Sequence, residues 1–320
     1  MNNDQANSIP WASFCMSTYK RPEFLKTQLG LVLQQTFTDF EIVIADNDPD
    51  ESGKTIATSF NDPRIKYAGN GGNIGIVPSY NRSVDRALGQ YIVMITDDDP
   101  VDINLLSIFN KLMELHPGYS LYGGLKRKHT CEDEVEVISK EDFMNEFLDV
   151  DKTAYVLWSS CLFKKEALVA IGKLPDYGAP HLVDHALLAM AGSINGAVLI
   201  NRVFGNIGYH QNNTSKSNFD LYYTSCTGFY ELLNNFIKHK PLYEKNRKAI
   251  VKHLHKWFIV FVFSLINYYR SAANKDQQNI EKVKTVADKI LQLPYMRSSL
   301  FHYRAKLFIL SIKYGLGIKK

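Results

Sequence analysis

The sequence predicts an α/β protein: a mostly parallel central sheet with helices on both faces, followed by a helical C-terminal extension. Three observations predict it. Strand-like and helix-like patterns alternate from Trp11 to His116. The segments Glu41–Ala45 and Tyr91–Ile95 are almost wholly apolar, as strands covered on both faces are. From Asp220 onward the pattern is helical, with Gly and Pro rare. Strand–helix alternation at this spacing implies a parallel sheet with right-handed crossovers.

Each element has a local reason. Trp11–Met16 reads as the first strand. Pro22 opens a helix at a position where a first-turn proline is tolerated, and Leu25, Leu29, Val32 and Leu33 form its apolar face up to Gln35. Glu41–Ala45 is the second strand, closed by the turn chemistry of 46–53. A short helix, a strand near Ile65–Ala68, the loop Gly69–Gly75, a helix over Pro78–Leu88, the strand Tyr91–Ile95 and a helix over Ile103–His116 follow. Further on, Val135–Ile138 and Tyr155–Phe163 read as strands and Leu182–Ala191 as a helix. Arg202–Tyr209 has strand character and ends at His210. There is no internal repeat. Residues 1–215 are expected to form one domain and 216–320 a helical basic region.

Composition narrows the function classes. With 320 residues, 45% hydrophobic and 22% charged, wholesale disorder is excluded. The net charge of +4 is unevenly placed: 13 Lys/Arg against 3 Asp/Glu from Val251 onward, and 24 against 30 before it. An acidic body with a basic tail points to an anionic surface partner for the tail. Cys15, Cys131, Cys161 and Cys226 lie far apart, so they read as buried thiols in a reducing compartment. The polar start, Met1–Pro10, lacks the features of a signal peptide. The longest apolar run, Trp257–Tyr269, would span about 20 Å as a helix, short of the roughly 30 Å of a bilayer core. A cytoplasmic protein is expected, working at the inner face of the plasma membrane through its tail. Walker-type and dinucleotide-binding glycine motifs are absent. Nucleic-acid binding is disfavoured because no recognised fold or aromatic-basic platform accompanies the charge.

Open parallel sheets bind ligands outside the carboxyl ends of their strands. Three polar clusters fall at such ends: Thr18–Arg21, Asp46–Asp48 and Asp97–Asp99. Taken singly, Asp46–Asp50 is a solvated turn; three clusters at one edge describe a crevice. Consecutive aspartates repel one another unless a cation lies among them, and oxygen ligands suit Mg²⁺ or Mn²⁺. The competing reading is a helix cap by Asp99 or Asp102.

The stretch Phe14-Cys-Met-Ser-Thr-Tyr-Lys-Arg-Pro-Glu-Phe-Leu25 resembles the opening of family 2 glycosyltransferases. Ile42–Asp46 with Asn47 and Asp48, Asn73-Ile-Gly75, Asn81, and Gly89–Ile92 before Asp97-Asp-Asp99 follow that family in order and spacing. The resemblance covers about Ser13–His210. It implies the nucleotide-diphospho-sugar transferase (GT-A) fold, a nucleotide-binding half over 1–100, an acceptor half over 101–215, a divalent metal and an inverting transfer. By the same resemblance Thr18, Tyr19, Arg21 and Asn81 would line the nucleotide-sugar pocket. Asp46 would accept from the base's imide nitrogen, Asp98 would face the ribose, and Asp99 would hold the metal, with Asp97 beside it. Ser17 stands in place of the usual proline, Lys20 of the usual asparagine, and Tyr80 of a frequent arginine.

Inverting transfer requires a base opposite the leaving diphosphate. Asp184 opens the apolar helix that follows His181-Leu-Val and lies where the family carries its base; partial burial against Leu182 and Val183 would raise its pKa. Asp184 as a helix cap and His185 as the base are the alternatives. His210, by resemblance, would reach the diphosphate or the metal; a loop hydrogen-bonding role is the bland alternative. Trp158 and Ser159, with His185, would shape the acceptor side, where tryptophan can stack on a sugar face; a core tryptophan competes.

The function expected from these parts is transfer of a sugar from a nucleotide-diphospho-sugar donor to a hydroxyl of a glycan or lipid-linked oligosaccharide. An inactive nucleotide-sugar-binding or scaffold protein on the same fold is the alternative. An aspartate-nucleophile phosphatase is disfavoured because Asp97-x-Asp99-x-Val101 follows the fourth strand and not the first. Met296–Lys320 is basic and amphipathic, suited to an anionic membrane surface or to packing with a solvated basic face.

Overall fold

The computed structural model describes residues 9–127, 130–149, 153–205, 219–271 and 276–315. The chain divides into two compact units: Met1–Phe147 with Asp151–Asp176 and Val183–His210, and Leu148–Val150 with Tyr177–Leu182 and Gln211–Lys320.

The first unit is built on an eight-stranded sheet. Its strands are β1 (Ala12–Thr18), β2 (Phe40–Asp46), β3 (Ile65–Gly69), β4 (Tyr91–Ile95), β5 (Leu121–Arg127), β6 (Val135–Ile138), β7 (Thr153–Lys164) and β8 (Ala197–Ile200), in the order β3-β2-β1-β4-β7-β5-β8-β6. The pairs β1–β2, β1–β4, β2–β3 and β5–β8 are parallel, and β7 and β6 run against their neighbours. Helices α1 (Pro22–Val32), α2 (Ser52–Ser59), α3 (Ile76–Arg86), α4 (Leu105–Leu115), α5 (Phe143–Phe147), α6 (Lys165–Ala170) and α7 (Val183–Asn195) connect them. This is the expected α/β fold with a mostly parallel sheet. All seven residues of β2 are buried, which accounts for the apolar run Ile42–Ala45 between Glu41 and Asp46.

Strand order fixes where a ligand can sit. From β1 the chain moves outward through β2 to β3, then returns to place β4 on the other side of β1. The order reverses between β1 and β4, and the crevice outside their carboxyl ends is the topological switch point. Register places Thr18 opposite Asp46 and Met16 opposite Ile95, so the polar ends of β1, β2 and β4 share one edge. Close approach of the β4 entry turn to β1 needs Gly89: a Cβ there would lie 2.6 Å from the Ala12 carbonyl carbon.

Several local expectations change. β5 and β8 escape the sequence pattern: β5 carries Gly123 and Gly124, and β8 is a four-residue run, Ala-Val-Leu-Ile, too short for periodicity to resolve. Arg202–Gly205 is not a strand; it turns on Arg202 N–H donating to Ile200 O and makes one bridge, Val101 with Gly205. Residues 206–209, the rest of that expected strand, lie outside the described residues. Cys131 is exposed, whereas Cys15, Cys161 and Cys226 are buried as expected.

The second unit holds α8 (Tyr222–Ile237), α9 (Tyr243–Arg270), α10 (Gln277–Leu291) and α11 (Ser299–Gly315). With no Gly or Pro between Tyr243 and Arg270, the apolar run extends backwards into one 28-residue helix. By length and composition α9 could cross a membrane, unlike the shorter run Trp257–Tyr269 read from sequence, and half of its most apolar window is buried inside the protein.

Candidate active site

At the carboxyl ends of β1 and β4, acids from one strand end meet a hydroxyl and an arginine from the other. Thr18 Oγ1 donates to Asp97 Oδ2 at 2.9 Å. Arg21 sends Nη1 to Asp97 Oδ1 at 2.8 Å and Nη2 to Asp98 Oδ2 at 2.7 Å. One planar guanidinium thus bridges two successive carboxylates, a geometry that lysine could not reproduce. Its other face lies 4.3 Å from the Phe24 ring centroid. Asp97 and Asp99 are buried, and Asp98 is 12% exposed at its side chain. Burial pushes the Asp97 carboxyl up to about 6, against the lowering effects of Arg21 and Thr18; Asp98 adds to the rise.

The loop that supplies these donors is strained. Lys20 sits at φ 55°, in the left-handed region that asparagine tolerates better than other non-glycine residues; such outliers cluster at ligand sites. On the other strand, Asp99 N–H donates to Thr96 Oγ1 at 3.0 Å and Asp99 O accepts from Gln28 Nε2 at 2.8 Å. The helix-cap alternative is not found for Asp99 or Asp102. The N-cap of α4 is Asn104, without a side-chain cap bond, and Asp102 Oδ1 accepts from Asn104 N–H at 2.7 Å just ahead of the helix.

Asp46 has a different setting. It is fully buried. Asp48 N–H donates to Oδ1 at 2.8 Å, while Gly53 N–H and the Tyr67 hydroxyl donate to Oδ2 at 3.1 and 2.7 Å. Asn47 carries the turn onward: its Nδ2 donates to Gly75 O at 3.0 Å and its Oδ1 accepts from Asn70 at 2.9 Å. Gly75 starts α3 at φ 93°, a conformation that suits glycine, and its N–H donates to Asn73 Oδ1 at 3.0 Å. Ser79 joins Ser17 and Asn70 to the same network, at 2.7 and 3.0 Å.

The remaining expected residues are dispersed. Tyr19 is 41% exposed at the end of β1. Asn81 is clamped to Leu174 by two bonds of 2.9 Å, one to its carbonyl and one from its N–H. Trp158 is partly buried with its ring centroid 4.9 Å from that of Tyr80. Ser159 is fully buried, and its hydroxyl has no hydrogen-bond partner among the described residues. Asp184 lies in the first turn of α7, where the helix dipole favours a negative charge. Asp184 is partly buried, as expected: its side chain is 37% exposed, with His185 Nε2 at 3.9 Å. His210 lies outside the described residues.

Three residues were not foreseen. Gln28 lies on the buried face of α1 among Leu25, Leu29 and Val32; a polar side chain on an apolar helix face was the available signal. Tyr80 is buried, with its hydroxyl donating to Ile95 O at 3.0 Å. Burial, reinforced by the charges of Asp97, Asp98 and Asp99, holds its phenol well above its ordinary value. Tyr67, which secures Asp46, had no separate signature.

Carboxylate oxygens suit a hard divalent cation. Among the described residues no three ligating side chains converge into a ready-made metal cage. The donor set therefore fits an ion held by one or two carboxylates, with phosphate oxygens and water completing its coordination.

The family model of Glycosyl transferase family 2 matches residues 13–172, half of the chain. The chain belongs to that family. Among curated relatives of this family member, 102 residues are 34% identical to a putative colanic acid biosynthesis glycosyl transferase of Escherichia coli, covering 31% of this chain and 37% of the relative. A further 143 residues are 23% identical to an E. coli UDP-Glc:alpha-D-GlcNAc-diphosphoundecaprenol beta-1,3-glucosyltransferase, covering 45% and 53%. The matched stretches thus span about a third to a half of the relatives' own length. In fold, the family member is similar to a mannosyltransferase of Pyrobaculum calidifontis solved with GDP-Man and Mn²⁺, with TM-score 0.57, 16% identity, and 98% and 89% coverage of the two chains. It is also similar to TarS of S. aureus in complex with UDP-GlcNAc, with TM-score 0.54, 11% identity and 92% coverage of each chain.

Proposed function

We propose that this family 2 chain moves a sugar from a nucleotide-diphospho-sugar to a hydroxyl of a glycan or lipid-linked oligosaccharide, with inversion at the anomeric carbon. The observation supporting this most is the Thr18–Arg21–Asp97–Asp98 cluster at the strand-order reversal. It sets buried carboxylates beside an arginine, an arrangement suited to a diphosphate with its cation. Thr18, Tyr19 and Arg21 border the donor, Asp98 meets the ribose, and Asp99 holds Mn²⁺ or Mg²⁺. Asp46 and Asn81 shape the pocket through the backbone that they fix. The bound ion offsets negative charge on the leaving diphosphate.

Asp184 takes the acceptor proton as the acceptor oxygen bonds to the anomeric carbon and the bond to the diphosphate breaks. A partly exposed carboxylate with an imidazole 3.9 Å away is open to an incoming hydroxyl. Trp158 and His185 border the acceptor, with Ser159 behind Trp158. His210 adds a ligand for the metal or the diphosphate. The catalytic domain runs over 1–215 and the helical region over 216–320. Two relatives are named for acceptors on an undecaprenol carrier, which supports work at the cytoplasmic face of a membrane.

The test is release of nucleoside diphosphate from UDP-Glc, UDP-GlcNAc and GDP-Man, with Mn²⁺ and a diphospholipid-linked sugar as acceptor. Acceptor-dependent release from one donor, with the opposite anomeric configuration in the product, is expected. Asp184→Asn should lower the rate by about 10²–10⁴-fold while donor binding stays. Nucleotide binding without turnover of any donor would favour the inactive binding protein instead.

A further inference from the structure

We infer that helix α11 docks the protein onto an anionic lipid bilayer, with Phe301 and Ile309 as side chains that enter it. The helix is already fixed on one side. Tyr303 is buried, its ring centroid 5.8 Å from that of Phe258 and 5.9 Å from that of Phe263, both on α9. Lys306 Nζ lies 4.9 Å from the Phe263 ring centroid. A helix turns about 100° per residue, so Phe301 and Tyr303 occupy opposite faces. On the face away from Tyr303, Phe301 is 84% exposed, Phe308 65% and Ile309 62%. Phe301 and Ile309, large apolar side chains exposed on a helix whose opposite face is packed, mark an interaction surface.

Charge selects the partner. No Asp or Glu follows Asp288 in the sequence, whereas seven Lys and Arg do. Arg297, just before the helix, and Arg304, one turn after Phe301, are exposed. An apolar stripe edged by cations complements anionic headgroups over acyl chains. A second copy of the same helix would set like charges against each other.

The inference rests on the proposed membrane-borne acceptor, yet the two fail separately. The experiment is co-sedimentation of the full chain with phosphatidylcholine vesicles, with or without about one third phosphatidylglycerol. Binding at least about tenfold tighter to the anionic vesicles is expected. Phe301→Ser/Ile309→Ser should weaken it about tenfold or more, with the melting temperature and transfer to a water-soluble acceptor unchanged. Wild-type binding by that variant, or equal binding to both vesicle types, would overturn the inference. So would a change of oligomeric state that leaves vesicle binding intact. Vesicle binding as expected, together with no turnover of any donor, would remove the transfer reading and leave this one standing.

Discussion

Strands β2 and β4 flank β1, and each ends in an acid-rich turn, Asp46-Asn-Asp48 on one side and Asp97-Asp-Asp99 on the other. At the first turn the buried carboxylate of Asp46 receives two backbone N–H groups and the Tyr67 hydroxyl, all neutral and all fixed by the fold. At the second, Asp97 and Asp98 share one guanidinium from Arg21, whose side chain is 30% exposed. Two of its three donors belong to the backbone, so the Asp46 carboxylate fastens the loop. An arginine reaching in from solvent can exchange partners with a diphosphate or yield to a cation. Burial alone does not separate the two turns. The charge and mobility of the partner do.

The largest expected effect lies at the second turn. Asp99→Asn should reduce cation-dependent transfer by about a thousandfold, with a urea midpoint close to that of the wild type. An equal loss of stability would make Asp99 a fastener too and erase the contrast.

Next comes Asp46→Ala, which strands two buried backbone donors and the part-buried Tyr67 hydroxyl. It should lower unfolding free energy by about 3 kcal/mol, read by urea denaturation. Full stability combined with lost nucleotide affinity would instead make Asp46 a ligand contact.

A smaller effect follows from protons. Folding raises the Asp97 carboxyl from its ordinary 3.8 to about 6. Between those values the folded chain holds more protons than the unfolded one. Its stability therefore falls as pH rises through that window, by on the order of 2–3 kcal/mol. Asp97→Asn should flatten that slope. An unchanged slope would place the titration elsewhere.

The sheet was legible where strands are wholly buried, because β2 and β4 leave no ambiguity in an apolar run followed by acids. It was illegible at β8, whose four residues, Ala197–Ile200, carry too little pattern, and at β5, where Gly123 and Gly124 interrupt it. The meeting of the polar ends of β1, β2 and β4 at one edge was readable because each cluster directly follows an apolar strand. The difference between Asp46 and Asp97 was not readable, since it depends on Tyr67 and Arg21 arriving from other elements.

Calorimetric titration of the wild-type chain with UDP, GDP, dTDP and CDP, each with and without Mn²⁺, addresses the Asp97–Asp99 edge most directly. Cation-dependent binding of one nucleotide, lost in Asp99→Asn and retained in a folded Asp46→Asn, is the predicted result. Binding of none of the four to the folded protein would contradict it.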